Sequence, residues 1–522
     1  MHKILRTQRH ESQNFYNMWQ RLYALFLHAS IAAFIGLLIL RCGKKDESIP
    51  ETLIARIGDK TISQNEFIRR AEYTIRPEYC RGDDYLQKKI VLNSLVAEKL
   101  LALEAGNDNP LLQNEAWQLY LQGRKEQAMR QWLYYKEGRE KVVLDTAEVK
   151  KFYELAGKKY KIAYYAIKND TIAALVEKAL HTQGKTFEEA FNQNGSLEGI
   201  PQREVAWSSP EHEVIHAALF SQTPQKGQVL GPLKIGDNDH VVIKILDGTK
   251  EVAITDTQIQ KRWREVSERL TEQKATAAFE KYSLQVMQGK KIEFNPAAFR
   301  KIVNLVGPYY LKSFAEKQAA ANQQLWNEPD HEKSLAPIGN SFDAMLNEPF
   351  FRIDNNVWTV RDFEHEIKIH PLVFRKRQID KGDFAEQFKL AVVDMVRDRY
   401  LADAAYQKGY DRVEVVQRNV EMWKDNLLFL FQLNNHLKSL GKQENFNSDY
   451  LQIVTTDLNP YVERLQTQYA DQIEINTAAF EKIQLTGIDM LVIQKNVPFP
   501  VAVPSFPVIT TAHQLDYGRK MQ

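Results

Sequence analysis

The sequence predicts an α+β protein of several domains, in which a mainly helical body occurs twice and one α/β domain is inserted. Two observations support this prediction. Residues 158–249 alternate between β-rich and helical patterns, and two pairs of segments outside them repeat one another. The chain has 522 residues, of which 44% are hydrophobic, so it can form three or four domains with apolar cores.

Residues 1–42 differ from the rest of the chain because they contain an almost continuous apolar run, Tyr23 to Leu40. Basic residues precede this run: Lys3, Arg6, Arg9 and Arg21. Such a segment is typical of a signal peptide or a membrane anchor. The positive residues stay inside, so we expect the remainder of the chain in the periplasm, with the membrane as a partner.

Two modes of attachment stay open. If translation starts at Met18, the residues Ile39-Leu40-Arg41-Cys42 resemble a lipoprotein cleavage box, and Cys42 becomes the lipidated first residue. Arg41 fits this box poorly, since the residue before the cysteine is normally small. An uncleaved single membrane span is therefore the alternative.

Residues 50–157 are predicted to form the first helical body. Two short β runs around a turn lie between Arg56 and Phe67. A helix then begins at Ser63, which forms a capping box with Glu66.

The same pattern returns in the second half of the chain, between Arg352 and Phe363. Here Thr359 and Asp362 take the two capping positions. Residues 345–445 are therefore predicted to form a second helical body that repeats the first.

Each body is followed by another repeated segment. Ile292 to Ile302 and Ile473 to Ile483 are identical at eight of eleven positions. We predict that residues 250–305 supply a helix and the closure of the first body, and that residues 446–490 close the second. Two unrelated helical domains with similar caps are the alternative.

The inserted domain is predicted from periodicity alone. Tyr160 to Ile167 is a β-rich run, Thr171 to Thr186 has helical spacing, and Val229 to Leu246 has the pattern of two strands joined by a turn. These elements predict a strand, helices and a closing hairpin within residues 158–249.

This domain also contains four family-like motifs. In chain order they are Phe187-Glu188-Glu189-Ala190, Ala217-Ala218-Leu219-Phe220, Lys226-Gly227-Gln228-Val229-Leu230-Gly231-Pro232 and Lys244-Ile245-Leu246-Asp247. The set resembles the parvulin-type (PpiC) peptidyl-prolyl isomerase domain, or rotamase, of the SurA, PrsA and PpiD group of extracytoplasmic folding factors. In that group a helical chaperone body carries the parvulin domain as an insertion, and the isomerase needs no cofactor. The resemblance places six residues around the pocket: Tyr164, Glu204, Trp207, Ile215, Phe220 and His240.

The pocket positions depart from the family pattern. Tyr164 stands where the family has a histidine, and the family's glycine-rich stretch before Trp207 has lost its glycines. The second family histidine corresponds to Val241, so His240 is one residue off and should point to the other face of its strand. Catalysis must lower the barrier to rotation about an X-Pro bond, which is ~20 kcal/mol, and the family's pocket residues are mostly missing. We therefore expect the domain to bind extended peptide rather than to catalyse, with an active isomerase as one alternative.

The duplicated body is expected to hold unfolded or outer-membrane client polypeptides. Exposed aromatic side chains would supply the contact surface. The candidates are Trp117, Tyr120, Trp132, Trp423 and Phe429. A structural subunit of an envelope assembly, with one stable partner, is a further alternative.

Composition excludes several other classes of function. A net charge of +2 gives no support for nucleic-acid binding. The sequence has no clustered metal ligands, phosphate-binding glycine loop or nucleophile turn, and Cys80 is expected to be a packing residue. The tail, residues 491–522, contains a Pro-rich stretch from Val497 to Val508 that should lie extended as a strap across the body, with docking of a partner as the alternative.

Overall fold

The computed structural model describes residues 52–82, 84–191, 200–209, 211–221, 223–236, 238–311, 342–376, 379–485 and 501–521. The predicted signal or anchor, with Cys42, lies outside these residues, as does the first part of the tail. Within the described ranges, no helix is both long enough and apolar enough to cross a bilayer. The fold is α+β and mainly helical, with small sheets.

The chain first forms a β-hairpin and three helices. They are β1 (Leu53–Ile57), β2 (Lys60–Ser63), α1 (Gln64–Glu72), α2 (Tyr85–Ala105) and α3 (Glu115–Glu137). Gly58 makes the hairpin turn at a φ of +59°, a conformation that glycine adopts without strain. The Ser63 side chain accepts a hydrogen bond from the Glu66 amide, which is one half of the predicted capping box, and the Glu66 carboxylate binds Lys99 at 2.9 Å.

A four-stranded antiparallel sheet with flanking helices follows. Its elements are α4 (Thr146–Ala156), β3 (Lys158–Ile167), α5 (Asp170–Glu177), α6 (Phe187–Phe191), β4 (Gln202–Ala206), α7 (Glu213–Phe220), β5 (Val229–Lys234), β6 (His240–Lys250) and α8 (Asp256–Val286). The strand order is β4-β3-β6-β5. The Glu251 amide donates to the Gly157 carbonyl at 2.7 Å, so the chain enters and leaves this unit at neighbouring points.

The remaining elements alternate short strands with helices. They are β7 (Ile292–Phe294), α9 (Pro296–Tyr310), β8 (Pro349–Ile353), β9 (Asn356–Thr359), α10 (Val360–Ile369), α11 (Phe384–Gln407), α12 (Glu414–Ser439), α13 (Phe446–Ile453), α14 (Asn459–Gln468), β10 (Ile473–Ile475), α15 (Thr477–Glu481) and β11 (Arg519–Lys520). Thr359 and Asp362 form the predicted reciprocal capping box of α10.

The two closing strands pair with the opposite hairpins from those expected. β10 pairs with β1, with Glu474 opposite Arg56, and β7 pairs with β8, with Glu293 opposite Arg352. The expectation that residues 250–305 close the first body and residues 446–490 close the second is therefore wrong. The two closing segments are nearly identical, so their sequence fits either hairpin and could not decide the pairing.

The long helices are exchanged in the same way. Phe429 and Leu433 of α12 lie in one core with Phe67 and Leu95 from the first half of the chain. In turn, α3 packs against α10 and α11. We call residues 52–105, 414–485 and 501–521 the first module, and residues 292–311 and 342–407 the second module. Residues 50–157 alone do not form a closed unit, because α3 packs against α10 and α11 of the second module as well as against α12 of the first.

The described part of the tail is a strap on the first module. Phe506 and Ile509 are buried in its core. The Arg70 guanidinium donates to the Ser505 carbonyl at 2.9 Å, and the Asn93 amide donates to the Ala512 carbonyl at 2.8 Å. The strap prediction is therefore confirmed for residues 501–508, and the chain then continues to β11, which runs parallel to β10.

Candidate functional site

Four of the six predicted pocket residues belong to one apolar cluster on one face of the four-stranded sheet. Trp207, Ile215 and Phe220 are buried there, and Tyr164 packs at its margin. The Trp207 and Phe220 rings meet edge to face with centroids 5.5 Å apart. Trp207 is 4% exposed and Phe220 is 1% exposed, so neither presents a surface to an incoming peptide.

His216 completes this cluster and was missed from the sequence. Its ring lies 4.5 Å from Trp207, and its Nε2 donates to the Trp207 carbonyl at 3.1 Å. Burial, followed by the charge of Arg269, lowers the pKa of His216 to about 3. The ring is therefore neutral near pH 7. A lone histidine within the apolar run from Val214 to Phe220 of α7 was the signal that could have identified it.

Flanking helices cover the same cluster. Phe152 of α4 packs its ring 5.8 Å from Trp207, and the Arg269 guanidinium of α8 lies 5.9 Å from the Trp207 ring. Arg269 is held by Glu213 at 2.8 Å. A proline ring could reach Trp207 only if these side chains moved.

The remaining pocket positions lie away from this cluster. Glu204 is exposed on β4, opposite Lys161. His240 has its Nε2 3.4 Å from Asp170 at the start of α5, and Val241, next to it, contributes to the Trp207 cluster. Alternation along β6 thus points His240 to the opposite face, as its one-residue offset predicts. The structure does not bring the six predicted residues into one pocket.

The predicted client-binding aromatics mostly lie inside the molecule. Trp117 and Trp423 are each 7% exposed and Phe429 is 2% exposed. Tyr120 meets Trp423 edge to face at 5.9 Å, where α3 crosses α12. Phe429 belongs to the core of the first module, so its assignment as a client contact is wrong. Its apolar spacing reflects packing of α12 on α2.

Trp132, like Tyr120, is not fully buried. It is half-buried on α3 and stacks on Tyr135 with centroids 5.1 Å apart. The Lys136 ammonium lies 5.3 Å from its ring. This stacked pair is an aromatic surface with a cation beside it.

Buried charges join α12 to the first module. The Asp425 carboxylate binds Lys60 at 2.6 Å and Lys99 at 3.0 Å. Burial alone would raise the pKa of Asp425, but the two ammonium groups hold it below its usual value. Beside them, Arg70 binds Glu98 through its two terminal guanidinium nitrogens, each at 2.7 Å. This geometry fixes the helices to one another.

A second buried network joins α3 to the second module. Glu126 accepts from His370 Nε2 at 2.7 Å, and Arg130 lies 3.2 Å from His370 Nδ1. Burial opposes ionisation of Glu126, but its hydrogen bond with His370 lowers its pKa to about 2. Glu126 therefore joins α3 to the second module in the way that Asp425 joins α12 to the first.

The second module also carries an open depression of about 510 Å³ beside β9. Its walls combine Trp358 and the exposed Val357 with charged groups of α10 and α11. Arg399 in this wall is bound to Glu366 at 2.9 Å and to Asp403 at 3.2 Å. The walls of the depression are both apolar and charged, and the Arg399 guanidinium is already paired with two carboxylates.

Exposed apolar side chains occur together where the chain leaves the four-stranded sheet for α8. Val252 is 65% exposed, Ile254 is 81% exposed and Ile259 is 39% exposed. They lie within eight residues of one another, so together they form an apolar segment on the surface. We call Val252, Ile254 and Ile259 the apolar connector.

Comparisons with known proteins give little further information. No protein-family model matches the chain, and no curated protein matches it. Among solved structures, the crystal structure of PrsA from Bacillus subtilis is similar at 21% sequence identity and a TM-score of 0.14. The match covers 44% of this chain and 91% of the PrsA chain. No group of three or more His, Cys, Asp and Glu side chains in the described ranges is placed to hold a metal ion.

Proposed function

We propose that this protein is an extracytoplasmic chaperone that holds unfolded or outer-membrane polypeptides without turning over X-Pro bonds. The observation that carries the proposal is that Trp207 and Phe220, which the resemblance places around a prolyl pocket, are buried in one cluster with His216. In this proposal residues 1–42 tether the chain to the membrane, through lipidated Cys42 or an uncleaved span.

The helical body is proposed to be a duplicated unit like the N-terminal body of the SurA group, with the parvulin-like domain inserted in the first copy. Two cross-strand ion pairs support the duplication. Arg56 binds Glu474 at 3.1 Å, and Arg352 binds Glu293 at 2.5 Å at the same place in the other sheet. Equal registers of strand pairing are the expected result when one ancestral sheet is present twice.

Client contact is proposed at the apolar connector. Its three aliphatic side chains can bury apolar surface of an unfolded polypeptide, and each fully buried side chain of this size contributes roughly 1.5–3 kcal/mol. The connector also lies next to the inserted domain, so one client could contact both.

The test is aggregation of a urea-unfolded outer-membrane-type client, followed by light scattering, in the presence of residues 43–522. We expect suppression at stoichiometric amounts. Replacing Val252, Ile254 and Ile259 by serine should weaken it, whereas Ile75→Ser, which changes an equally exposed side chain in the first module, should not. An absence of suppression by the unaltered protein would contradict the proposal.

An X-Pro rotation assay with a short prolyl peptide separates holding from isomerisation. We expect no acceleration over the uncatalysed reaction, because neither Trp207 nor Phe220 is accessible. Clear acceleration that is lost in Trp207→Ala would favour the isomerase alternative. One stable partner recovered in place of general client binding would favour a structural subunit.

A further inference from the structure

The small sheets of the two modules have the same pairing between the hairpin and the closing strand, but they differ at one edge. Ile473, Glu474 and Ile475 of β10 correspond to Ile292, Glu293 and Phe294 of β7. In the first module, β11 adds to the outer edge of β10. In the second module, no strand among the described residues adds to the outer edge of β7.

The occupied edge shows how an extended segment is held. β11 runs parallel to β10, with Arg519 opposite Glu474 and Lys520 opposite Ile475. The Met521 amide donates to the Ile475 carbonyl at 3.0 Å. A short extended segment is thus fixed by main-chain hydrogen bonds, which do not depend on its side chains.

The equivalent backbone groups of β7 point outward. The Asn295 amide donates to the Phe350 carbonyl at 2.8 Å. Backbone groups alternate in direction along a strand, so those of Asn295 and Glu293 both point toward β8. Alternation then directs the amide and carbonyl of Phe294 away from β8, as for Ile475. Ile292 and Phe294 are only half-buried, whereas Ile473 and Ile475 are buried. This edge is therefore both unpaired within the described ranges and partly apolar.

The charges beside the two edges are opposite. The Arg519 guanidinium binds Asp471 at 2.6 Å next to β10. The residue that corresponds to Asp471 is Lys290, whose ammonium lies 4.0 Å from the Asp354 carboxylate. Lys291 follows it with 79% of its side chain exposed and its ammonium 2.8 Å from Glu293. The basic C-terminal strand is complementary to the β10 edge and is repelled by the β7 edge. An extended segment on β7 should therefore carry acidic residues.

We propose that the outer edge of β7 is a binding site for an extended, acidic segment of a client polypeptide, which adds to the sheet as β11 adds to β10. This inference rests on the proposed holding function and specifies a client chemistry. The client supplies main-chain groups to Phe294 and a carboxylate near Lys290. Binding of this kind selects extended conformation and charge, and it tolerates different sequences.

The experiment uses residues 43–522 and two short fluorescein-labelled peptides, in which valine alternates with glutamate or with lysine. Fluorescence anisotropy should show that the glutamate peptide binds about tenfold more tightly than the lysine peptide. Lys290→Glu should abolish this preference. Lys482→Glu, which makes the same charge change at an exposed site of the first module, should leave the preference intact.

Hydrogen exchange in residues 290–296 of the unaltered protein locates the site without a variant. The glutamate peptide should slow exchange there. No slowing, or equal affinity for both peptides, would overturn the proposal. Slow exchange of the outward-facing Phe294 amide before the peptide is added would also overturn it, because another part of the chain or a second copy then occupies the edge. Aggregation suppression without peptide selectivity would reject the edge site and leave the holding function intact, whereas loss of both would reject the proposed function.

Discussion

The Arg56 guanidinium lies 3.1 Å from the Glu474 carboxylate, 418 residues further along the chain. This pair connects a hairpin at the start of the described chain to a strand near its end. The same pairing occurs between Arg352 and Glu293. Each module is therefore completed by strands and helices from the other half of the chain, and the modules should fold as one cooperative unit.

The Asp425 carboxylate is expected to be a major contributor to this cooperativity. In Asp425→Ala, Lys60 and Lys99 lose a buried partner, and the free energy of unfolding should fall by about 3–5 kcal/mol. Urea unfolding measures the change. The matched control is Glu474→Gln, because its ion pair with Arg56 is solvent-exposed and should contribute about 1 kcal/mol or less. Equal effects of the two changes would contradict the assigned role of α12.

Cleavage of the chain between the two segments of the second module should leave the fragments bound to each other. A protease site placed between residues 311 and 342 lets both closing strands stay on the hairpins that they complete. Gel filtration after cleavage should give one peak that contains both fragments. Separation of the fragments without denaturant would mean that each half closes its own sheet.

His216 should make stability fall as the solution is acidified. Its pKa is about 3 when folded and about 6.5 when unfolded, so the unfolded chain binds the proton first. The stabilisation is complete above pH 6.5 and is lost progressively as pH falls toward 3. At pH 5 the loss is about 2 kcal/mol. Urea unfolding at pH 5 and pH 7 should show this difference, and His216→Gln should reduce it whereas the exposed His513→Gln should not.

The Cys80 thiol should be unreactive in the native protein. Cys80 is fully buried, and burial raises its pKa to about 12. A thiol-exchange reagent at pH 8 should modify it only after urea is added. Rapid modification without denaturant would show that the loop around Cys80 opens readily.

Local features of the fold could be predicted from the sequence because they depend on neighbouring residues. The caps at Ser63 and Thr359 and the hairpin of β5 and β6 follow from turn and capping patterns. The exchange of closing strands could not be predicted. Ile473 and Ile292 begin nearly identical segments, so the choice of hairpin depends on tertiary contacts outside these segments.

The same distinction applies to the candidate site. The offset of His240 relative to Val241 was readable because strands alternate with a period of two. The client-binding assignment of Phe429 failed because a helical apolar stripe has the same spacing whether it faces solvent or a partner helix. His216 was not identified from the sequence because its place in the cluster depends on its contact with Trp207, which lies outside helix α7.

The most direct test of the central claim compares client aggregation with residues 43–522 and with the same protein lacking residues 158–249. The hydrogen bond between Glu251 and Gly157 shows that the ends left by this deletion are close enough to join. Replacing Val149, Phe152 and Leu270 by serine in the deleted protein controls for the apolar surface that the deletion exposes. We predict that the deleted protein, with or without these replacements, still suppresses aggregation, because the intertwined helical body holds the client. Loss of suppression in a deleted protein that remains folded would contradict this account and assign client holding to the inserted domain.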